Sequence, residues 1–553
     1  MTKNRIIKPT AESIFEEFDK GRDFNARINL DRTVDVNENF FIGKQWEDVT
    51  TNGLPTPVFN FLKRIVLFQI ASILSDKIKM IASPLTMAAQ QKLVEQMSEL
   101  VTNEFEALFE CNKLGNLLRE YMRNAAVDGD GCLYTYWDDE AETGQPYRGA
   151  IRTEIIENTR VFFGNPNERS VSHQPYIIIE SRELLDSVRA RAEENGVADI
   201  DAIKTDLEYS ASTVANMADN RVTVLLRLWK DENGEVWACE AVRNQVIRKP
   251  WNMKIRLYPI TWLNWDYVQD CYHGEAMITG LIPNQIFVNK TYAMVQLSLM
   301  QSAFPKIVYD KTRISKWTNQ AGVAIGVNGG DMGQVARIIE PAPVSPQIAQ
   351  FIQSTIDYTQ TFLGGTSAAL GDARPDNTSA IIALQRASSV PSEITKQNLY
   401  QSVEDLGQIY LEFMTAYYGK RTVKAPMPNL EGLDIRIPKN VDLAIEFDFG
   451  ILRNYPMILK LDVGASSYWS EIASMRTLDN LLMSGHISVV QYLERIPSGY
   501  IQDKEGLIAD IQKGQASTAQ QSPPSGSPLD LSALRASLPT MPVNLGGLEH
   551  TAV

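Results

Sequence analysis

The residues of this chain whose types could do chemistry are spaced in ways that fall short of it. A phosphate-cradling loop needs GxxxxGK[ST] opening a helix. The nearest echo is Gly419-Lys420-Arg421-Thr422, where arginine holds the hydroxyl position and a helix precedes instead of following, so it reads as a helix end plus a basic linker. Gly326, Gly329, Gly330 and Gly333 invite a dinucleotide reading, but no helix is expected after them and hairpin turns account for them better. Asp128-Gly129-Asp130-Gly131 resembles the opening of a calcium loop, yet position 12 would be Asp139 and the strand-like CLYTYW fills the middle, where ligands are needed. The histidines His173, His273, His486 and His550 lack metal-ligand spacing. His273, ahead of Gly274-Glu275, has no GxSxG elbow or reactive-cysteine context to serve. Cys111, Cys132, Cys239 and Cys271 show no CxxC or Cys/His spacing and are expected as reduced core residues. The sequence thus predicts no catalytic residue, no cofactor and no metal site. Enzymatic activity, as a nuclease or phosphotransferase, would need acids that converge only in the fold.

Two stretches carry charge or flexibility out of keeping with their surroundings. Formal charge is 53 − 67 = −14, so the chain as a whole is no free-standing nucleic-acid binder, although repulsion still permits passing contact with DNA. Between 304 and 345, however, Lys306, Lys311, Arg313, Lys316 and Arg337 outnumber Asp310, Asp331 and Glu340. Alone this is a solvated hairpin; multiplied around a ring, it is a docking surface or basic collar. The second stretch, 364–377, holds Gly364, Gly365, Gly371 and Pro375 beside Asp372, Arg374 and Asp376, a loop free to take conformations other residues resist.

The elements that position these stretches follow from periodicity. Residues 11–110 read as mainly helical, with a buried helix over 56–74 and an amphipathic one from Gln90 to Phe109 bearing Leu93, Met97, Leu100 and Phe105 on one stripe. Residues 150–265 read as largely β. A hairpin joins RVTVLLRLWK to EVWACEAV, KIRLYPITWLNW (254–265) forms a strand pair or one bent strand, and an exposed charged helix spans 181–196. From Pro283 to about Ser302 a helix is apolar almost all round and needs neighbours on every side. Short strands KIVY, GVAIGV and ARII follow, then a helix from Pro346 to Gly364. After the glycine loop a run restarts at Asp376-Asn377-Thr378, is kinked by Pro391, and buries Leu399, Val403, Leu406, Tyr410, Phe413 and Tyr417 before Gly419. Strands return over 421–450, and 467–513 holds two or three short helices with Trp469, Ile472, Met475, Leu478 and Leu482 on a stripe. Past Gly514 the Pro/Ser/Gly/Gln composition predicts a disordered tail. No window offers a secretory h-region or a membrane span, so cytoplasmic synthesis is expected.

In that order the parts resemble the portal proteins of tailed bacteriophages. The resemblance covers roughly 36–513 and rests on NENFFIGKQW, PTPVFNFLKRIV, TWLNWDYVQDCYHGEA, LIPNQIFVNKTY, the run from GGTSAALGDARPDNTSAIIALQRASSVPSEI to EFM, and SSYWSEIASMRTLDNLLMSGHISVVQYLERIPSG. It implies an α+β subunit of a homo-oligomeric ring, typically of twelve, at one capsid vertex of the virion, through which double-stranded DNA is packaged and ejected. It also implies docking of the terminase large subunit and of a head-completion or neck adaptor, contact with major capsid and scaffolding proteins, and no membrane. By position, 1–274 and 419–466 become the wing, 275–303 and 346–363 the stem, 304–345 the clip, and 364–377 the tunnel loop. The kinked helix is 378–418, the crown 467–514, and the tail 515–553. Arg374, the loop's only cation, would touch phosphate or bridge to a neighbouring subunit. A different oligomeric head-tail adaptor is the alternative within the virion.

Overall fold

Thr10 starts the first helix, α1 (Ala11–Arg27). Its hydroxyl accepts from the Ser13 N–H at 3.2 Å while the Ser13 hydroxyl accepts from the Thr10 N–H at 3.0 Å, a reciprocal cap. Ile14 and Phe18 then fall on one face and are buried against a five-stranded antiparallel sheet in the order β4-β5-β6-β7-β8. Its strands are β4 (Val161–Phe163), β5 (Tyr176–Leu184), β6 (Arg221–Lys230), β7 (Val236–Val242) and β8 (Gln245–Asn252). A two-toothed ion pair, Arg227 Nε to Glu17 Oε2 at 2.6 Å and Arg227 Nη2 to Glu17 Oε1 at 3.0 Å, ties β6 to α1. The structure is a computed structural model that describes residues 9–51, 53–76, 78–84, 91–144, 147–206, 220–303, 306–318, 325–329, 331–339, 346–362, 392–424, 444–455, 457–463, 468–484, 486–496, 507–508 and 511. The chain divides into two units, Met1–Ser467 and Tyr468–Val553.

The expected hairpin over 221–242 is β6–β7, but its burial is two-sided. Val222 and Val224 pack under helix α6 (Leu185–Glu194), Leu228 joins the main core, and Leu225 and Trp229 on the opposite face lie under α1. The helix expected over 181–196 is shorter, because β5 stays paired with β6 as far as Leu184, opposite Arg221. Nor is it simply exposed: Leu185, Val188 and Ala192 are buried. Of the strand pair or bent strand expected over 254–265 only β9 (Ile260–Asn264) forms, with Ile255 and Tyr258 buried in the irregular segment before it. β9 completes a second sheet, β3-β2-β9, with β2 (Asp130–Glu142) and β3 (Arg148–Ile155).

Helices α2 (Leu30–Ile42), α3 (Phe61–Ile73), α4 (Gln91–Cys111) and α5 (Leu114–Asp128) close around these sheets. α3 begins at Phe61 rather than near Thr56, because the Asn60 carboxamide caps it, accepting from the Lys63 N–H at 3.1 Å. It buries Leu62, Ile65, Val66, Ile70 and Ile73 but leaves Leu67 exposed. One strand pair went unread in the sequence: β1 (Ile78–Pro84) with β14 (Met457–Val463). Of the strands expected over 421–450, β13 (Ala444–Asp448) forms within DLAIEFDFG, and its partner is β12 (Lys420–Lys424), whose start was expected as a linker. Cys132 and Cys239 are buried and Cys271 partly so, whereas Cys111 is exposed, contrary to the expected core position.

Next along the chain, α7 (Ile282–Ala303) and α8 (Pro346–Phe362) bracket a hairpin of β10 (Lys306–Tyr309) and β11 (Ala336–Ile339). The described part of GVAIGV, 325–327, is not a strand. Helix α9 (Glu393–Phe413) buries Leu399, Val403, Leu406, Tyr410 and Phe413 as its spacing requires, and runs into a π-helical turn at Met414–Tyr418 before Gly419. Pro391 and the expected strand LDIRIP lie outside the described residues. In the second unit α10 (Tyr468–Met483) precedes α11 (Val489–Arg495), which Ser488 and Gln491 cap reciprocally. The Tyr492 hydroxyl donates to Asp479 Oδ1 at 2.5 Å and holds the two together.

Candidate functional site

Helices α7 and α8 form a pair whose root is polar and buried and whose shaft is apolar and exposed. Near the root, Asn289 Nδ2 donates to Gln45 Oε1 at 2.6 Å, Gln285 Nε2 donates to Asn289 Oδ1 at 2.9 Å and to the Phe59 carbonyl at 2.8 Å, and Gln45 Nε2 donates to the Phe40 carbonyl at 3.0 Å. These amides are buried, and each satisfies the next, so α7 is fixed in register against α2 and α3. The pair is joined by Asn284 Nδ2 donating to Thr359 Oγ1 at 3.1 Å and by an edge-to-face contact of Phe287 with Phe351 at 5.7 Å. Lys290 and Asp357 are the only charged side chains in the two helices. Past Ala293 the side chains of Met294, Leu299 and Met300 on α7 face outward, while Val295 and Leu297 are half-buried. Met294 is 63% exposed, Phe351 and Tyr358 on α8 are each 65% exposed, and Leu299 and Met300 are more than half exposed. A face that is apolar and uncharged is one built to be covered.

At the far end of the pair the hairpin places Lys306 opposite Ile339 and Arg337 opposite Val308. One face therefore alternates cation and aliphatic side chain, all four exposed. A small local core of Ile314 and Val335, with Tyr309 stacked on Trp317 at 5.4 Å, supports it. Lys311 and Lys316 are exposed beside it. Arg313 is partly spent: its Nε lies 3.5 Å from Asp310 Oδ2, and that carboxyl is held below its usual range by the hydroxyl and N–H of Thr312. The structure thus brings Lys306, Lys311, Arg313, Lys316 and Arg337 onto one small subdomain, with four cations free of ion pairs among the described residues. Gly364, Gly365, Gly371, Asp372, Arg374 and Asp376 lie outside the described residues.

The start of α9 is anchored by a cluster that sequence reasoning missed. Asp76, at the end of α3, has a buried side chain whose Oδ2 lies 2.5 Å from Lys396 Nζ and accepts from the Tyr400 hydroxyl, pinning the first turns of α9. No signal in the sequence links position 76 to 396. At the other end of α9, Arg421 is buried over the Tyr418 ring at 4.0 Å and donates to the Gly149 carbonyl at 2.7 Å. Burial lowers its pKa, and Glu104 beside it is pushed up to about 7 by burial, opposed by Arg421 and a Tyr418 hydrogen bond. The Gly419-Lys-Arg-Thr echo is therefore a strand start with a structural arginine.

The two other motifs set aside in the sequence meet each other. Asp130, fully buried, accepts from His273 Nδ1, Gly274 N–H and Asn264 Nδ2, each at 2.7 Å, and from Asn158 Nδ2 at 3.2 Å. A carboxylate with four protein donors is a structural acceptor with no room for an ion. No cluster of His, Cys, Asp and Glu suited to a metal occurs among the described residues, and no described helix is long and apolar enough to cross a membrane.

A family model described as Phage P22-like portal protein matches residues 16–424, from α1 through β12. No curated protein matches the sequence.

Proposed function

This chain belongs to the phage P22-like portal protein family, and we propose that it is the subunit of a ring at one capsid vertex that conducts double-stranded DNA during packaging and ejection. The single observation that carries the reading is the charge-poor helix pair α7–α8, apolar on its outer faces, which cannot bury those faces alone and tipped by a basic hairpin. Copies arranged around an axis would cover them, α7 and α8 serving as stem, 304–345 as clip, and 364–377 as the tunnel loop that meets the duplex. A net charge of −14 suits a conduit: phosphates are repelled rather than gripped, and contact is limited to Arg374 and its neighbours. The clip face, with Lys306 and Arg337 set among Val308 and Ile339, fits an acidic and apolar protein surface, which is what a terminase large subunit or a neck adaptor would present in turn. Portal proteins are structural, and the ring would take its energy from the packaging motor. Class averages viewed down the symmetry axis and a light-scattering mass many times 62.0 kDa test the reading. A chain that stays monomeric even with its procapsid partners present refutes it.

A further inference from the structure

Resting on the ring reading, we propose that the buried Asp130–His273 hub is the joint that fixes the direction of α7 relative to the body, and so decides how many copies close the ring. Four separate pieces of chain end on this one carboxylate: the α5–β2 turn that carries Asp130, Asn158 before β4, Asn264 at the end of β9, and His273-Gly274, which leads into α7. The backbone around it is packed too tightly for any side chain. A Cβ on Gly129, whose φ is +100°, would meet the Gly274 carbonyl oxygen at 2.7 Å, and one on Gly274 would meet the Asp266 carbonyl oxygen at 2.6 Å. The same short lead to α7 is held by the Ile278 N–H donating to the Ala126 carbonyl at 3.3 Å and by Asn37 Nδ2 donating to Thr279 Oγ1 at 2.9 Å. Aromatic rings complete the socket: Tyr272 sits 3.9 Å from the His273 ring, with Phe24 and Trp262 beyond. Together with the Gln45–Asn289–Gln285 amides, these contacts hold α7 at its root, while past Ala293 Met294, Leu299 and Met300 are more than half exposed.

Geometry makes that joint decisive. Closing n copies requires a turn of 360°/n per copy, so near twelve copies a change of one alters the turn by only about 2°. Over a helix of 22 residues, roughly 33 Å long, 2° moves the tip by about 1 Å. A joint made of short hydrogen bonds to a single buried acceptor holds to that tolerance, whereas apolar contact alone would slide.

The test compares full-length wild type with His273→Phe, which keeps the ring and loses the donor, and His273→Asn, whose amide nitrogen occupies the place of Nδ1. Asp130→Asn, which turns one of the two acceptor oxygens into a donor facing other donors, is the stronger perturbation, and Asn264→Ala removes one donor only. Subunits per ring are counted in axial class averages and by native mass, with melting temperature measured on the same samples. The expected result is at least about a twofold broader spread of ring sizes, or loss of closed rings, for His273→Phe and Asp130→Asn, with His273→Asn restored to the wild-type number. Folded His273→Phe and Asn264→Ala proteins that close at the single wild-type number overturn the joint, as does a His273→Asn spread equal to that of His273→Phe. If Asp130→Asn does not fold, the single-donor variants decide. Wild type that forms no ring removes the ring reading itself, a different and separable failure.

Discussion

Replacing Glu104 by glutamine should make the protein more stable, and increasingly so as pH rises. Glu104 sits on α4 facing Tyr418 of the π-helical turn and Arg421 of β12, and burial pushes its carboxyl from 4.5 up to about 7 despite both neighbours. A carboxyl raised in this way favours the folded state below its unfolded pKa, and that contribution is lost as pH climbs from 4.5 through about 7. At about 1.4 kcal/mol per tenfold in proton affinity, the span amounts to about 3 kcal/mol at most, less whatever partial exposure screens away. Glutamine keeps the shape and a hydrogen-bonding head without the charge. Wild type and Glu104→Gln should therefore melt together near pH 4.5 and separate by a few degrees by pH 8, the variant being higher. Thermal melts at half-unit pH steps on protein of matched assembly state read this difference. A gap that is constant with pH, or that widens toward acid, refutes the assigned burial of Glu104 and the sign of its linkage.

Lys396→Met should cost about 3 kcal/mol, because it strands the buried Asp76 carboxylate, and Asp76→Asn in the same chain should restore much of the loss in a thermal melt. Reversing Lys311 and Arg337 to glutamate should weaken binding of the packaging motor or neck adaptor by about tenfold in a pull-down or titration while leaving oligomer mass unchanged. Shortening 364–377 should spare assembly but impair packaging or retention of DNA, and normally filled, infectious particles would contradict a role for that loop.

Local signals reached a good part of this fold. The amphipathic stripe of α9, the all-round apolar run of α7 and the strands of the β6–β7 hairpin could be read because their periods are set by neighbours three, four or two residues away. What escaped was set by distant chain. β1 is a short run whose pairing partner, β14, lies at the other end of the unit, so nothing near Ile78 announces a strand. Lys420–Lys424 is too charged to look like a strand, and becomes one because Arg421 is stacked on Tyr418 while β13 supplies the ladder. Asp130 and His273 were each visible, but 143 positions apart, and no spacing rule joins them. On the candidate site, the basic hairpin was legible from composition, whereas the pairing of Arg313 with Asp310 and the anchoring of α9 by Asp76 needed side-chain geometry.

The sparing use of charge along α7 and α8 has a thermal consequence. Contacts between such faces would draw on burial of hydrocarbon rather than on attraction between ions, and that driving force fades on cooling but strengthens with excluded salts such as sulfate. An assembly fastened in this way would tolerate brine and come apart in the cold, so chilled storage, not ionic strength, is the condition under which its fastening is weakest.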